Sequence, residues 1–310
     1  MELLSKQRGR TPYYKTLKSM GISYLGAVAK SAKMTYNYIN NVATYAIYLA
    51  PANMSGYEVC PCSTYCRKFC LNGSGRNKGD IIMRGEELSN INRSRVKKTR
   101  LFFEQRQVFM DLVLHEIDCA RKHAAKNNME FSIRLNCTSD ISPEWFKDEI
   151  TGKNILELYP DVQFYDYTKV PSRLKLMEKY PNYDLTFSYN GHNTETCLDF
   201  LAKGGKVAVV FENQEYLPMN FFGYPVIDAN KYDMRYLDPK SSIMGLHFHR
   251  TAENYKNGVY YPPTDDFVVK DDDENADWFG FYNRLYTILI YIDTLVRNLC
   301  SVRENRAKII

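Results

Sequence analysis

Phe131-Ser132-Ile133-Arg134-Leu135-Asn136, Val162-Gln163-Phe164-Tyr165-Asp166-Tyr167, Asp184-Leu185-Thr186-Phe187-Ser188 and Lys206-Val207-Ala208-Val209-Val210-Phe211 decide the fold. Each is a short run rich in β-branched and aromatic residues, the composition of a strand. Segments that read as helices lie between them: Glu144 to Ile150, Pro171 to Tyr180, and Asn193 to Ala202 ahead of the Gly204-Gly205 stop. Strands alternating with helices imply right-handed crossovers. The predicted class is therefore α/β, with a mostly parallel sheet, open or closed as a barrel.

Working outward, Tyr224-Pro225-Val226-Ile227-Asp228 and Ile243-Met244-Gly245-Leu246-His247-Phe248 are weaker strand candidates. Upstream, Tyr45-Ala46-Ile47-Tyr48-Leu49 is an apolar run stopped by Pro51, which suits a buried strand. A long helical region is expected from about Arg84 to Asn127, where Leu101, Phe102, Phe109, Leu112, Val113 and Ile117 recur at helical spacing. Residues 1–43 lack a clean period and read as an N-terminal extension, helical in part from Gly26 to Asn41. Residues 44–250 form the α/β domain, and 251–310 an acidic loop followed by a packed helix, so helical extensions flank both ends.

The 310 residues are 45% hydrophobic and 25% charged, enough apolar material for a large core. The stretch Trp278 to Leu299 is interrupted by Arg284, Asp293 and Arg297, so it is too polar to span a bilayer. The first ten residues hold no apolar run that could serve as a signal peptide. Net charge is +5, with basic stretches at Lys6 to Arg10 and Arg93 to Arg100 and an acidic one at Asp271 to Glu274. Solvated faces explain these charges; attraction of nucleic acid to the basic face is a weaker reading.

Four of the eight cysteines fall within Cys60-Pro61-Cys62-Ser63-Thr64-Tyr65-Cys66-Arg67-Lys68-Phe69-Cys70. A short loop pre-orders thiols around one centre at little entropic cost, whereas thiols this close pair poorly with each other as disulfides. The reading is a reducing, cytoplasmic compartment and a metal-binding loop. Zinc prefers Cys-x2-Cys knuckles in two pairs, and bacterial ferredoxins use Cys-x2-Cys-x2-Cys. The spacing here, Cys-x-Cys-x3-Cys-x3-Cys, matches neither. Three thiolates opening an α/β barrel fit a [4Fe–4S] cluster with one iron left free, while a zinc site and free thiols remain alternatives.

In parallel sheets chemistry gathers beyond the carboxyl ends of the strands. Asn136, Ser139, Asp166, Ser188 and Glu212 stand there and could bind a cofactor by hydrogen bonds to an amine, carboxylate or ribose. Helix capping explains Ser139 and Asp140 almost as well, because Pro143-Glu144-Trp145 looks like a helix start. His247 and His249 alternate on a strand-like run and are expected on one side of the sheet, more as a polar rim than as metal ligands. No Walker A loop, Gly-x-Ser-x-Gly elbow or His-Glu-x2-His helix occurs, which leaves the common hydrolase and nucleotidase readings without support.

The run Ala50-Pro51-Ala52-Asn53-Met54-Ser55-Gly56-Tyr57-Glu58-Val59-Cys60-Pro61, then Cys66-Arg67-Lys68-Phe69-Cys70-Leu71-Asn72, resembles the gene product 88 family of phage proteins. Thr99 to Glu104, Ile133 to Asn136 with Ser139-Asp140, and Phe164 to Lys169 are similar too, so the resemblance covers roughly residues 45–250. It implies a cluster loop akin to that of radical S-adenosylmethionine enzymes on a partial (β/α) barrel, in a protein of the host cell cytoplasm if phage-encoded. Carried over from the family, the thiols fall on Cys60, Cys66 and Cys70, and Cys62 is an extra thiol. Radical enzymes carry Cys-x3-Cys-x2-Cys, and this chain departs from that at the last interval.

Two functions are therefore expected to compete. One is a [4Fe–4S] enzyme that takes an electron from a donor and uses S-adenosylmethionine on an unknown substrate. The other is a binding protein whose loop is only stapled by a cluster or zinc, docking on nucleic acid or a host protein.

Overall fold

The computed structural model describes residues 10–28, 31–73, 88–249, 255–256, 259–260 and 266–278. Its first elements are helix α1 (Arg10–Ser19), strand β1 (Gly26–Val28), helix α2 (Ala32–Ile39) and strand β2 (Val42–Ile47). Every residue of β2 is buried. A strand covered on both faces needs a near-continuous apolar run rather than alternation, and Val42-Ala43-Thr44-Tyr45-Ala46-Ile47 supplies one.

Helices α3 (Asn90–Glu104) and α4 (Arg106–Lys126) follow, where one long helical region is read from the sequence. They break at Gln105, whose φ of −142° and ψ of 60° are not helical. Ser89 starts α3 by accepting from the Asn92 amide at 3.0 Å. Strands β3 (Glu130–Arg134), β4 (Gln163–Thr168), β5 (Tyr183–Ser188) and β6 (Lys206–Phe211) then appear where their sequence runs place them. Helices α5 (Ile155–Leu158), α6 (Leu176–Lys179) and α7 (Thr194–Ala202) lie between β3 and β6.

The helix expected over Glu144 to Ile150 is only a 3₁₀ turn, Pro143–Trp145. Asp148 accepts from both the backbone and the hydroxyl of Thr151, and Gly152 takes a φ of +70°. That local turn competes with helix and wins. Pro171–Lys175 is likewise a 3₁₀ turn leading into the single turn of α6.

Strands β2 to β6 lie side by side in chain order and all parallel. The order reverses after β6. Strands β7 (Asn220–Phe221) and β8 (Tyr224–Asp228) form a hairpin, and β9 (Ser242–His247) inserts between β6 and β8, parallel to both. The hairpin turns on Phe222 and Gly223 with φ of +51° and +79°, the left-handed pair of a two-residue turn. At Gly245 of β9 a Cβ would stand 2.7 Å from Val226 and 2.9 Å from Leu217, so a larger residue would force those side chains to shift.

The sheet has eleven strands, is mixed with a parallel centre, and does not close into a barrel. Both predicted extensions contribute to it. Strand β1 pairs antiparallel with β2, where helix was expected from Gly26. Strands β10 (Tyr255–Lys256) and β11 (Val259–Tyr260) pair only with each other, whereas β12 (Val268–Val269) adds parallel to β6 and β13 (Ala276–Asp277) pairs with β7. The C-terminal helix expected over Trp278 to Leu299 lies outside the described residues except for Trp278, which packs edge-on to Phe211.

One face of the sheet carries the main core, in which Tyr45, Ile133, Phe164 and Leu185 meet Phe109, Val113 and Ile117 of α4. The other face is covered by α2 and by the β8–β9 crossover, residues 229–241. Lys33 of α2 donates to the Ala229 carbonyl at 2.8 Å, and Asn37 accepts from the Asp233 amide at 3.0 Å. Among the described residues no helix is long and apolar enough to cross a membrane.

Candidate functional site

The cysteine loop follows β2 and lies across the carboxyl ends of the parallel strands. Its stem is fixed by backbone bonds, from Val59 N–H to Ala52 O (3.1 Å) and from Asp140 N–H to Val59 O (2.7 Å). Thr99 of α3 accepts from the Ala50 amide at 2.9 Å, and Arg100 donates to Ser55 O at 3.1 Å. Beyond the stem, Cys66–Phe69 forms a 3₁₀ turn. Its aromatic residues reach across the rim: Tyr65 stacks on His192 after β5 at 4.1 Å, and Phe69 packs on Phe248 after β9 and on Phe267 before β12. The loop thus touches the ends of several strands.

Cys60, Cys62, Cys66 and Cys70 are free thiols, all partly buried. Cys60 accepts from the Ala52 amide at 3.4 Å and donates to Thr138 O at 3.8 Å, while Cys66 donates to Ser63 O at 3.7 Å. Burial pushes the Cys60 thiol up to about 12, and raises Cys62 and Cys70 as well. Cys60 lies within electrostatic reach of both Cys66 and Cys70, and Cys70 of Cys66. The thiol that Cys62 senses is Cys66. Two cations face the same loop: Lys169, after β4, reaches Cys62 and Cys70, and Arg95 of α3 reaches Cys70.

The donor chemistry suits a soft metal or a cluster, whose ligands are thiolates; Lys169 favours the ionised form of Cys62, and Lys169 and Arg95 that of Cys70, against the larger effect of burial. Among the described residues no group of three or more His, Cys, Asp or Glu side chains is gathered tightly enough to hold a metal ion.

Of the other predicted residues, three form a single buried network below the loop. Asn136 donates from its amide and its side chain to the two oxygens of Asp166, at 2.8 and 2.9 Å, and from its side chain to Ile141 O. Ser139 donates to Asn136 Oδ1 at 2.8 Å. Asp166 also accepts from Tyr183, and burial pushes its carboxyl up against the opposing pull of Arg173. Arg173 in turn pairs with Asp140. These groups lock the β3 and β4 loops together, so they shape the rim from below. Ser188 is buried at the end of β5, where its carbonyl accepts from Asn193 at 3.0 Å. Glu212, after β6, pairs with Lys270 at 3.2 Å.

His247 ends β9 and donates through Nδ1 to the Asn213 carbonyl, 2.7 Å away. His249 lies beyond the strand; burial lowers it, with help from Lys33. The residues to which the sequence reading gives no site role are Lys169, Arg95, Lys33, Arg134 and Tyr167. Arg134 and Tyr167 were within reach of it, since they alternate with Leu135 and Asp166 on recognised strands and must point to the opposite face. Nothing in the sequence marks Lys33.

This combination, an open α/β sheet with a parallel centre and a thiol-rich loop after its first parallel strand, defines a cysteine-loop α/β protein. The gene product 88 family model matches residues 18–259, and the chain belongs to that phage protein family. No curated protein and no solved structure matches the chain.

Proposed function

We propose that this chain is an iron–sulfur protein whose loop binds a [4Fe–4S] cluster through Cys60, Cys66 and Cys70, and that it is a radical-S-adenosylmethionine-like enzyme. The observation that carries the reading is that Cys60 lies within electrostatic reach of Cys66 and Cys70, and Cys70 of Cys66, at the carboxyl rim, with Arg95 and Lys169 facing Cys70. Cations there offset the negative charge that three thiolates bring to the centre. When bound, such a cluster supplies one-electron chemistry at its thiolate-free iron.

The chain's own residues have definite tasks in this reading. Cys60, Cys66 and Cys70 hold the cluster, and Cys62 is the dispensable thiol. Asn136, Ser139 and Asp166 fix the rim on which S-adenosylmethionine would rest, with Ser188 and Glu212 as further hydrogen-bonding groups at the ends of β5 and β6. The rival is a stapled binding protein whose loop holds zinc rather than iron.

Anaerobic purification followed by iron, sulfide and zinc analysis tests the proposal, with EPR of the reduced protein before and after adding S-adenosylmethionine. About four irons and four sulfides per chain, and an EPR signal changed by the cofactor, is the expected result. Stoichiometric zinc in colourless protein overturns the cluster. An intact cluster indifferent to the cofactor overturns the radical-enzyme assignment alone.

A further inference from the structure

On the face of the sheet opposite the long helices, polar groups collect that the structure does not use. Arg134 at the end of β3 pairs with Asp233 of the crossover, and the two side chains are 14% and 1% exposed. Arg134 Nε and Asp233 Oδ1 nonetheless find no hydrogen-bond partner among the described residues, nor do Tyr167 Oη on β4 and Thr186 Oγ1 on β5. The Arg134 guanidinium lies 4.8 Å from the Tyr167 ring centre. Lys33 reaches the same group from α2; burial pushes it down to about 8, against the pull of Asp233. Its ammonium donates to one carbonyl, Ala229 O, which leaves donors to spare.

Buried polar groups are normally satisfied, and each one left open costs free energy. Four open groups from three adjacent strands and the crossover that covers them point to a ligand that completes them. Charge decides its class. Arg134 is matched by Asp233, Arg235 by Asp238 at 3.0 Å, and Lys206 by Asp184 at 2.7 Å, while Asp228 lies in reach of Lys33. The cluster is balanced, so a ligand end with net charge would upset it. An end that carries an anionic acceptor and a cationic donor would not.

We propose that this face binds the α-amino acid end of a small molecule, its carboxylate taken by Lys33 and Arg134 Nε, its ammonium by Asp233 Oδ1, with Tyr167 closing the site. The site adjoins the cysteine loop without belonging to it. Cys137 lies within electrostatic reach of Arg134, and Tyr48, which contacts Cys137, lies under Arg95, the cation that reaches Cys70. It stands whether or not the loop holds a cluster.

The test uses the full-length chain as purified, whatever metal its loop carries, so that failure of the cluster proposal does not touch it. Each of the twenty common amino acids is titrated by calorimetry and thermal shift, with acetate and methylamine as single-charge controls. At least one amino acid should bind and raise the melting temperature, and neither control should. Tyr167→Phe removes a hydroxyl that has no partner, so its unliganded melting temperature should equal or exceed that of the wild type. Its affinity for the amino acid should fall about tenfold. Lys33→Met should weaken binding by at least as much. Binding of none of the twenty, equal binding of acetate, or unchanged affinity in both variants would overturn the proposal.

Discussion

Replacing Glu116 by alanine should detach the N-terminal segment from the rest of the molecule. Glu116 lies on α4 and its carboxylate is the anchor for four donors. Oε1 accepts from Tyr13 Oη and from the Leu25 amide at 2.9 Å; Oε2 accepts from the Gly26 amide at 2.8 Å and from Tyr45 Oη. Leu25 is fully buried and Tyr45 is 2% exposed, so water cannot replace the lost acceptor without opening the structure. Hydrogen bonds to a charged group contribute about 1.5–3 kcal/mol each, and four that share one carboxylate are not additive. The expected loss is about 3–6 kcal/mol, against a total stability of about 5–15 kcal/mol for a typical domain. Glu116→Gln keeps one acceptor oxygen and should lose about half as much. Urea unfolding gives the total, and hydrogen exchange locates it: amides of residues 13–28 should lose protection first, with those of β4 to β6 unchanged. A loss below about 1 kcal/mol, or uniform loss of protection across the sheet, would refute the idea of a single clamp. The consequence for function is direct, since β1 and α2 bring Lys33 to its place.

Cys60→Ser should abolish iron and sulfide binding, whereas Cys62→Ser should retain most of both; the reverse outcome would show that the x3-x3 spacing, and not the grouping of Cys60, Cys66 and Cys70, sets the ligands. Cys66→Ala and Cys70→Ala should each remove the brown colour and the absorption near ~400 nm expected of thiolate-bound iron–sulfur clusters, and should lower the melting temperature of the loaded protein, as metal binding is linked to folding. Lys98, 4% exposed and pushed down to about 8 by burial, titrates near 10.4 in an unfolded chain. Between those values the unfolded chain binds more protons, so wild-type stability rises with pH there and the full cost is present at pH 7. Lys98→Met should therefore be more stable by about 1–3 kcal/mol at pH 7, with the gain shrinking from pH 8 to 10.4 in denaturant titrations; a gain independent of pH would contradict it. Gly245→Val should destabilise by more than about 2 kcal/mol through overpacking against Val226 and Leu217, measurable by urea unfolding.

Strand identity was local information. The runs at Phe131, Val162, Asp184 and Lys206 carry their own β-branched and aromatic residues, and the helical segments between them dictate parallel neighbours, so the centre of the sheet was readable before any contact was known. The cysteine loop was readable for the same reason: its thiols are neighbours in sequence, and its place after the first parallel strand puts it at the carboxyl rim. What depended on partners distant in the chain was not readable. Gly26-Ala27-Val28 becomes a strand because β2 offers an edge and Glu116 fixes its start, some 90 residues away. The reversal of strand order after β6 rests on a left-handed turn at Phe222-Gly223 and on one glycine that lets Leu217 pass. Asn136, Ser139 and Asp166 could be seen at strand ends, but only the tertiary structure shows that they bond chiefly to each other. Lys33, Arg134, Asp233 and Tyr167 come from four separate stretches, and their assembly depends on the crossover lying back over the sheet. Sequence sets what each segment prefers within a few residues of itself; long-range packing decides which polar groups are left without a partner, and the proposed amino acid site rests on those groups.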